Sequence, residues 1–368
     1  MEKMLIIGNG FDLAHELPTK YIDFLKFMKM IEILGSKENT ELEKAIKDMV
    51  IEPLNLHPEI KEIIINSKSL KTRKRLLELS YENSWIKYFK KKNFGNDVKK
   101  KTFGNDGWID FELEISKVIK SLEELIEYTI NSKYQKKTKD LDLELNRIIS
   151  KFNTIVKLYD KNEELISNKE LIINKLNTDL DNLIRCLEIY LVEYVQKIKI
   201  NKHSPNMENN FDKILSFNYT NTYEKTYAKS AIEYDFIHGK ASEGESNNMV
   251  LGIDEYLPAE GKNNKLDFIQ FKKYFQRIYK KTGCKYKDWL ADIGEVYIFG
   301  HSLDITDKDI FYEILMKEGI KTTIYYFNEK DYAQKIANVV KIIGQDELIK
   351  KVYGLGRTII FEKQDDMI

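Results

Sequence analysis

The chain constrains its fold within its first twelve residues. Met4 to Ile7 form a short apolar run, long enough for a buried strand, and it breaks abruptly into Gly8-Asn9-Gly10. Glycines on both sides of Asn9 permit positive backbone dihedrals and leave no side chain between a ligand's phosphates and the main-chain amides. A strand, a Gly-x-Gly turn and a following helix together make an anion site that needs no basic side chain. The third glycine of a dinucleotide fingerprint would fall at Leu13, so a plain tight β-to-α turn accounts for the motif equally well.

Beyond the turn, Leu17, Tyr21, Phe24, Leu25, Met28 and Ile31 recur at helical spacing. Pro18-Thr19 interrupts the start of this pattern, and Thr19 is the expected N-cap of the helix that follows. Asp12 and His15 fall in the segment beside the turn, close to where phosphates or a ribose would sit.

From Gly35 to about Asn201 strand-like alternation nearly disappears. Amphipathic segments follow one another at residues 41–50, 69–91, 109–131, 141–161 and 169–200. In the last, Leu176, Leu180, Leu183, Leu187, Tyr190, Tyr194 and Ile198 alternate steps of four and three, the seam of a helix packed lengthwise on another. That seam fits the inside of a bundle or, alternatively, an interface between copies of the chain. Lysines at 90–92 and 99–101 flank an Asn/Gly turn and read as a solvated loop, with a phosphate-contacting patch as the sharper alternative. Trp108 precedes Asp110 and Glu112 at the start of a helix, where the macrodipole favours both acids.

Strand signals return at Phe211. Residues 214–217 end in Asn218-Tyr219-Thr220, residues 234–237 in His238-Gly239, and residues 295–299 in Gly300-His301-Ser302-Leu303-Asp304. A further strand is expected at residues 249–252, then a helix through Phe268, Phe271, Phe275 and Ile278. A helix at 310–316, a strand at 322–327, helices from 331 to 352 and a last strand at 358–361 complete the alternation. Strands alternating with helices mean a mainly parallel sheet covered on both faces. The expected class is therefore α/β and Rossmann-like, with residues 1–35 and 205–368 forming one nucleotide-binding domain. Residues 36–204 form an all-helical insertion after the first β-α unit.

Charge narrows the partners. With 59 basic and 59 acidic side chains the net charge is zero, so no global field draws the chain to nucleic acid or an anionic membrane. Two cysteines, Cys186 and Cys284, supply neither a disulfide framework nor a thiolate metal site. The opening residues lack a basic segment followed by an apolar signal core, and no stretch approaches the length of a membrane span. A soluble, cytoplasmic protein is expected.

In a parallel sheet the four turns after the strands near Ile7, Phe217, Ile237 and Phe299 share one edge, where ligands bind. Gly8, Asn9, Gly10, Phe11, His15, Ser216, Tyr219, Thr220, Gly300, His301, Ser302 and Leu303 are the candidate binding residues, with Asn218, His238 and Asp12 as candidates for chemistry.

The run Ile6-Ile7-Gly8-Asn9-Gly10-Phe11-Asp12-Leu13-Ala14-His15, followed by Leu17-Pro18-Thr19-Lys20-Tyr21, resembles the opening of the AbiH family of bacterial phage abortive-infection proteins. The stretches Trp108 to Glu112, Phe217-Asn218-Tyr219-Thr220, His238-Gly239 and Gly300-His301-Ser302-Leu303 are similar to its later motifs. More remotely, the order of these motifs resembles sirtuin-like NAD-consuming domains. That resemblance implies that Gly8 and Gly10 hold a pyrophosphate and that Asn218 and His238 flank the nicotinamide ribose. Gly300, Ser302 and Leu303 would then contact ribose or adenine. Asn9 replaces the usual small middle residue and Thr220 stands where those domains carry Asp. The cysteines cannot form the four-thiolate zinc site of protein deacylases, so the activity implied is NAD glycohydrolysis, with NAD as substrate and no metal or further cofactor. A phage-derived trigger and self-association through the helical insertion are the expected partners.

Two other readings stay open from the residues. A nucleotide or ADP-ribose sensing module would bind without turnover. A metal-dependent nuclease would use Asp12, His15, Asp110 and Glu112 as hard ligands.

Overall fold

The computed structural model describes residues 1–35, 56–66, 70–94, 110–132, 169–207, 210–227, 232–244, 247–253, 266–283 and 285–368. The expected helices at 41–50 and 141–161, the lysines at 99–101, Trp108 and Cys284 lie outside these residues.

Strand β1, Glu2–Ile7, is buried on both faces. Met4 and Ile6 point into one apolar cluster with Val296, Ile298, Phe311 and Ile314. Leu5 and Ile7 point into another with Phe11, Ile214, Phe299 and Tyr325. Side chains alternate across a strand, so a strand covered on both sides reads as one continuous apolar run. The remaining strands are β2 (Lys213–Ser216), β3 (Glu233–Phe236), β4 (Ile293–Phe299), β5 (Lys321–Tyr326) and β6 (Ile359–Lys363). Every pairing is parallel and the order is β3-β2-β1-β4-β5-β6. This is the order of doubly wound nucleotide-binding sheets, and its direction of progress reverses between β1 and β4. The α/β, Rossmann-like expectation holds.

The chain divides into two compact units. The first comprises Met1–Thr19, Leu191–Val250 and Arg277–Ile368 and contains the whole sheet. The second comprises Lys20–Tyr190 and Leu251–Gln276 and, among the described residues, is helical. Inside the second unit Phe111 lies stacked between Phe89, at 4.1 Å between ring centroids, and Tyr21, at 4.2 Å. The Trp85 indole N–H donates to the carbonyl of Leu176 at 2.9 Å. The seam residues Leu176, Leu180, Leu183, Leu187, Tyr190, Tyr194 and Ile198 are all buried within the chain.

Five expectations on local structure need correction. Residues 249–252 are not a strand: the Val250 amide donates to His238 O at 2.8 Å and the Leu251 amide to Gln276 Oε1 at 3.1 Å, so loops and a side chain take the bonds a sheet neighbour would. Residues 69–91 make two helices, Leu70–Ser80 and Ser84–Phe94. Glu82 breaks them at φ +52 and Asn83 caps the second, its Oδ1 accepting from the Ile86 amide at 3.0 Å. The long helix ends at Glu193, followed by a 3-10 turn at Val195–Lys197. The helix expected through Phe268 to Ile278 is split into a 3-10 turn at Ile269–Phe271 and an α-helix at Lys273–Lys280. Thr19 does not cap the helix Tyr21–Leu34, whose N-cap is Lys20; the Thr19 hydroxyl instead donates to Asn9 Oδ1 at 2.6 Å.

Candidate functional site

The register of the sheet sets the site. Ile7 is level with Ser216 on one side and Phe299 on the other, and Ser216 is level with Phe236. The four turns that follow these residues therefore emerge at one edge, the carboxyl ends of β1 to β4. All lie within the first unit.

At the reversal point the turns after β1 and β4 lie directly against each other. The Gly8 amide donates to Phe299 O at 3.1 Å, the Gly10 amide to Gly300 O at 2.7 Å, and the Phe11 amide back to Gly8 O at 2.8 Å. A Cβ on Gly10 would sit 2.7 Å from Gly300 O, and one on Gly8 2.7 Å from His301 Cα. The glycines serve the approach of the two turns to each other, and their amides are already bonded to main-chain carbonyls.

Asp12 projects from the helix Asn9–Ala14 and is 1% exposed. Thr220 Oγ1 donates to its Oδ2 at 2.6 Å, and Thr222 Oγ1 donates in turn to Thr220 Oγ1 at 3.2 Å. Oδ1, equally buried, has no hydrogen-bond partner among the described residues. Burial pushes the Asp12 carboxyl up to about 6, against the smaller opposing pull of the Thr220, Thr222 and Asn218 side chains. A carboxyl held near neutrality in the interior can exchange a proton at ordinary pH.

Asn218 follows β2 in a turn clamped by Ser216. The Ser216 hydroxyl donates to Asn218 O and accepts from the Asn218 amide, both at 3.1 Å. The Asn218 side-chain amide donates to Gly8 O at 3.0 Å and ties the β2 turn to the β1 turn. His238, after β3, places Nε2 3.2 Å from Asp307 Oδ1, and His301, after β4, places Nε2 3.6 Å from Asp307 Oδ2. Phe217 presents its ring to both imidazoles, at 5.5 Å from His238 and 4.4 Å from His301.

The chain matches the family model for bacteriophage abortive infection, AbiH, over residues 4–328. It belongs to the AbiH family. The matched span runs from β1 through β5 and includes all four turns, so the site lies wholly inside the region that this AbiH protein shares with its family. The role that goes with the family is defence against phage by abortive infection. No curated protein and no solved structure matches the chain. The remoter sirtuin-like resemblance therefore rests on the order of the motifs.

Other expected residues of this AbiH chain serve the frame. His15 Nδ1 lies 2.7 Å from Phe11 O, and Nε2 2.7 Å from Tyr227 Oη, which also accepts from the Ser204 amide. A carbonyl can only accept, so Nδ1 carries the proton and Nε2 accepts from the tyrosine. Burial lowers the His15 pKa, which fits this neutral form. Tyr219 Oη donates to Val250 O at 2.7 Å. Ser302 is exposed at the rim, its carbonyl accepting from Asn338 Nδ2 at 2.9 Å, while Leu303 is buried at φ +58. Asp110 caps the helix Phe111–Ser132 through the Leu113 amide at 3.0 Å, and Glu112 pairs with Lys273 at 2.8 Å. Among the described residues no group of three or more His, Cys, Asp or Glu could hold a metal ion, and no helix is long and apolar enough to cross a membrane.

Thr222 and Asp307 were not singled out from the sequence. An acid just before a helix reads as a cap, and Asp307 stands at the N-cap of the helix Lys308–Met316 without making a side-chain cap bond. Only the fold brings it beside two histidines.

Proposed function

We propose that this AbiH protein binds NAD at the carboxyl edge of its sheet and hydrolyses the bond between nicotinamide and ribose. Asp12 carries the proposal: a carboxyl buried beside Asn218 and Thr220, tuned to about 6 and with one oxygen uncommitted, at the point where nucleotides bind such sheets.

In the proposed reaction the C1′–N bond breaks and its electron pair leaves with nicotinamide. The ribose becomes oxocarbenium-like, and the Asp12 carboxylate opposes the developing positive charge. Asn218 orients a water molecule, whose oxygen forms the new bond to C1′. His238 takes the proton that this water gives up. The products are nicotinamide and ADP-ribose. Consumption of NAD would halt the metabolism of an infected cell, the outcome that abortive infection requires.

The test is incubation of the pure protein with NAD, with and without phage lysate as activator. Nicotinamide release that disappears in Asn218→Ala and His238→Ala supports the reaction; no release under either condition sinks it. A nucleotide sensor without turnover is favoured by one observation, the commitment of an Asn218 amide hydrogen to Gly8 O, which gives Asn218 the task of tying two turns together. Calorimetry that finds tight ADP-ribose binding alongside no nicotinamide release selects the sensor.

A further inference from the structure

We propose that Asp307 is a positioning residue whose carboxylate fixes the ring tautomer of His238 and so decides which nitrogen of His238 handles protons. The proposal rests on the reading of His238 as the proton acceptor.

All three side chains are buried, at 7% exposure for Asp307, 5% for His238 and 7% for His301. The turn after β4 determines the His301 tautomer. Gly300 at φ +69 and Leu303 at φ +58 fold the chain back so that the Leu303 amide donates to His301 Nδ1 at 2.9 Å. A ring nitrogen that accepts is unprotonated, so the proton of neutral His301 is on Nε2, which faces Asp307 Oδ2. His238 presents its own Nε2 to Oδ1 of the same carboxylate. An ionised carboxylate has only acceptors, so His238 also carries its proton on Nε2, and Nδ1 becomes the basic nitrogen.

The chemistry requires a carboxylate at this position. The Nε2–H of His238 meets Oδ1 at 3.2 Å, while Nε2 of His301 faces Oδ2 at 3.6 Å, beyond hydrogen-bond reach, so both oxygens confront N–H groups. An asparagine of the same shape would offer one acceptor and one donor, so it could hold the Nε2–H tautomer of His238 only with its NH2 turned on the Nε2–H of His301. Phe217, edge-on to both imidazoles and stacked on Phe311 at 5.2 Å, limits how either ring can turn to escape the mismatch.

The test uses the full chain with ¹⁵N-labelled histidine and no nucleotide. With five histidines in the chain, the ring nitrogens can be assigned by single replacements. In the unsubstituted protein both His238 and His301 should show Nε2–H, and in Asp307→Asn His238 should switch to Nδ1–H. Asp307→Asn should also lower kcat for nicotinamide release by roughly 10²-fold or more with KM little changed, while Asp307→Glu restores part of the loss. An Nδ1–H tautomer at His238 in the unsubstituted protein would overturn the proposal without recourse to any variant. An unchanged His238 tautomer in folded Asp307→Asn would overturn it as well. Failure of the unsubstituted protein to release nicotinamide counts against the reaction alone, because the tautomers are read without substrate.

Discussion

Thr220 Oγ1 and Asp12 Oδ2 are 2.6 Å apart although 208 residues of sequence separate them. The bond joins the helix after β1 to the turn after β2, and it is the shortest link between the charged centre of the site and its polar surround. A hydroxyl here can donate to Asp12, where an ionised acid at the same position could only repel it. Thr220→Val keeps the shape and removes the donor. It should destabilise the protein by about 1–3 kcal/mol at pH 8, where Asp12 is charged, and by less at pH 4. Urea unfolding at the two pH values reads this, and equal losses at both would show that the hydroxyl does not support the carboxylate.

The charge on Asp12 has a cost of its own. Its carboxyl titrates near 3.8 when unfolded and about 6 when buried. Between those values the folded chain holds a proton that the unfolded chain has lost, so stability falls as pH rises through this window. Above it the penalty is complete, on the order of 3 kcal/mol. Asp12→Asn should therefore be more stable than the parent at pH 8, with most of the advantage gone at pH 4, and should no longer turn over NAD. Thermal melts across pH 4 to 8 together with nicotinamide release measure both effects.

Gly300 and Gly356 give opposite expectations for one substitution. A Cβ at Gly300 would meet the Phe11 nitrogen at 2.2 Å, on a backbone at φ +69. Gly356 has open space around it. Gly300→Ala should cost at least roughly 3 kcal/mol and open the contact between the two turns, whereas Gly356→Ala should stay within about 0.5 kcal/mol. Denaturant midpoints of the pair are the check.

Leu183 lies at the centre of the buried seam and is fully inaccessible. Leu183→Ala should cost about 2–5 kcal/mol, the range for a large core side chain replaced by a small one. Sedimentation before and after the change should give the same mass if the seam serves the inside of the chain, and a reduced mass if it holds copies together.

The sheet was legible because burial on both faces writes itself as short apolar runs. Those ending at Ile7, Phe217, Ile237 and Phe299 end within a residue of the strands formed, though β1 and β4 begin two residues earlier than the runs suggest. An apolar run does not say what pairs with it, which is why Met249-Val250-Leu251 reads as a strand and yet satisfies its amides from His238 and Gln276. The glycines of the first turn announce that something comes close; that it is the turn after β4 depends on strand order, which no local pattern encodes. That Asp12, Asn218 and His238 follow strands at one edge of the sheet could be read from residue type and place. The carboxylate facing both His238 and His301 could not, since Asp307 follows His301 closely but stands far from His238 in sequence, and only the fold joins the three.

The position of β1 between β2 and β4 has a consequence for the cell that makes this chain. Strand β1 precedes both of its neighbours by a long stretch of chain, since they begin only at Lys213 and Ile293. At 5–20 residues per second, roughly 15–60 s pass between completion of β1 and completion of β4. Until then the two turns cannot meet. A fragment released before β4 is made lacks that junction altogether. Strand order alone thus makes the junction of the two turns one of the last parts of the sheet edge that a growing chain can complete.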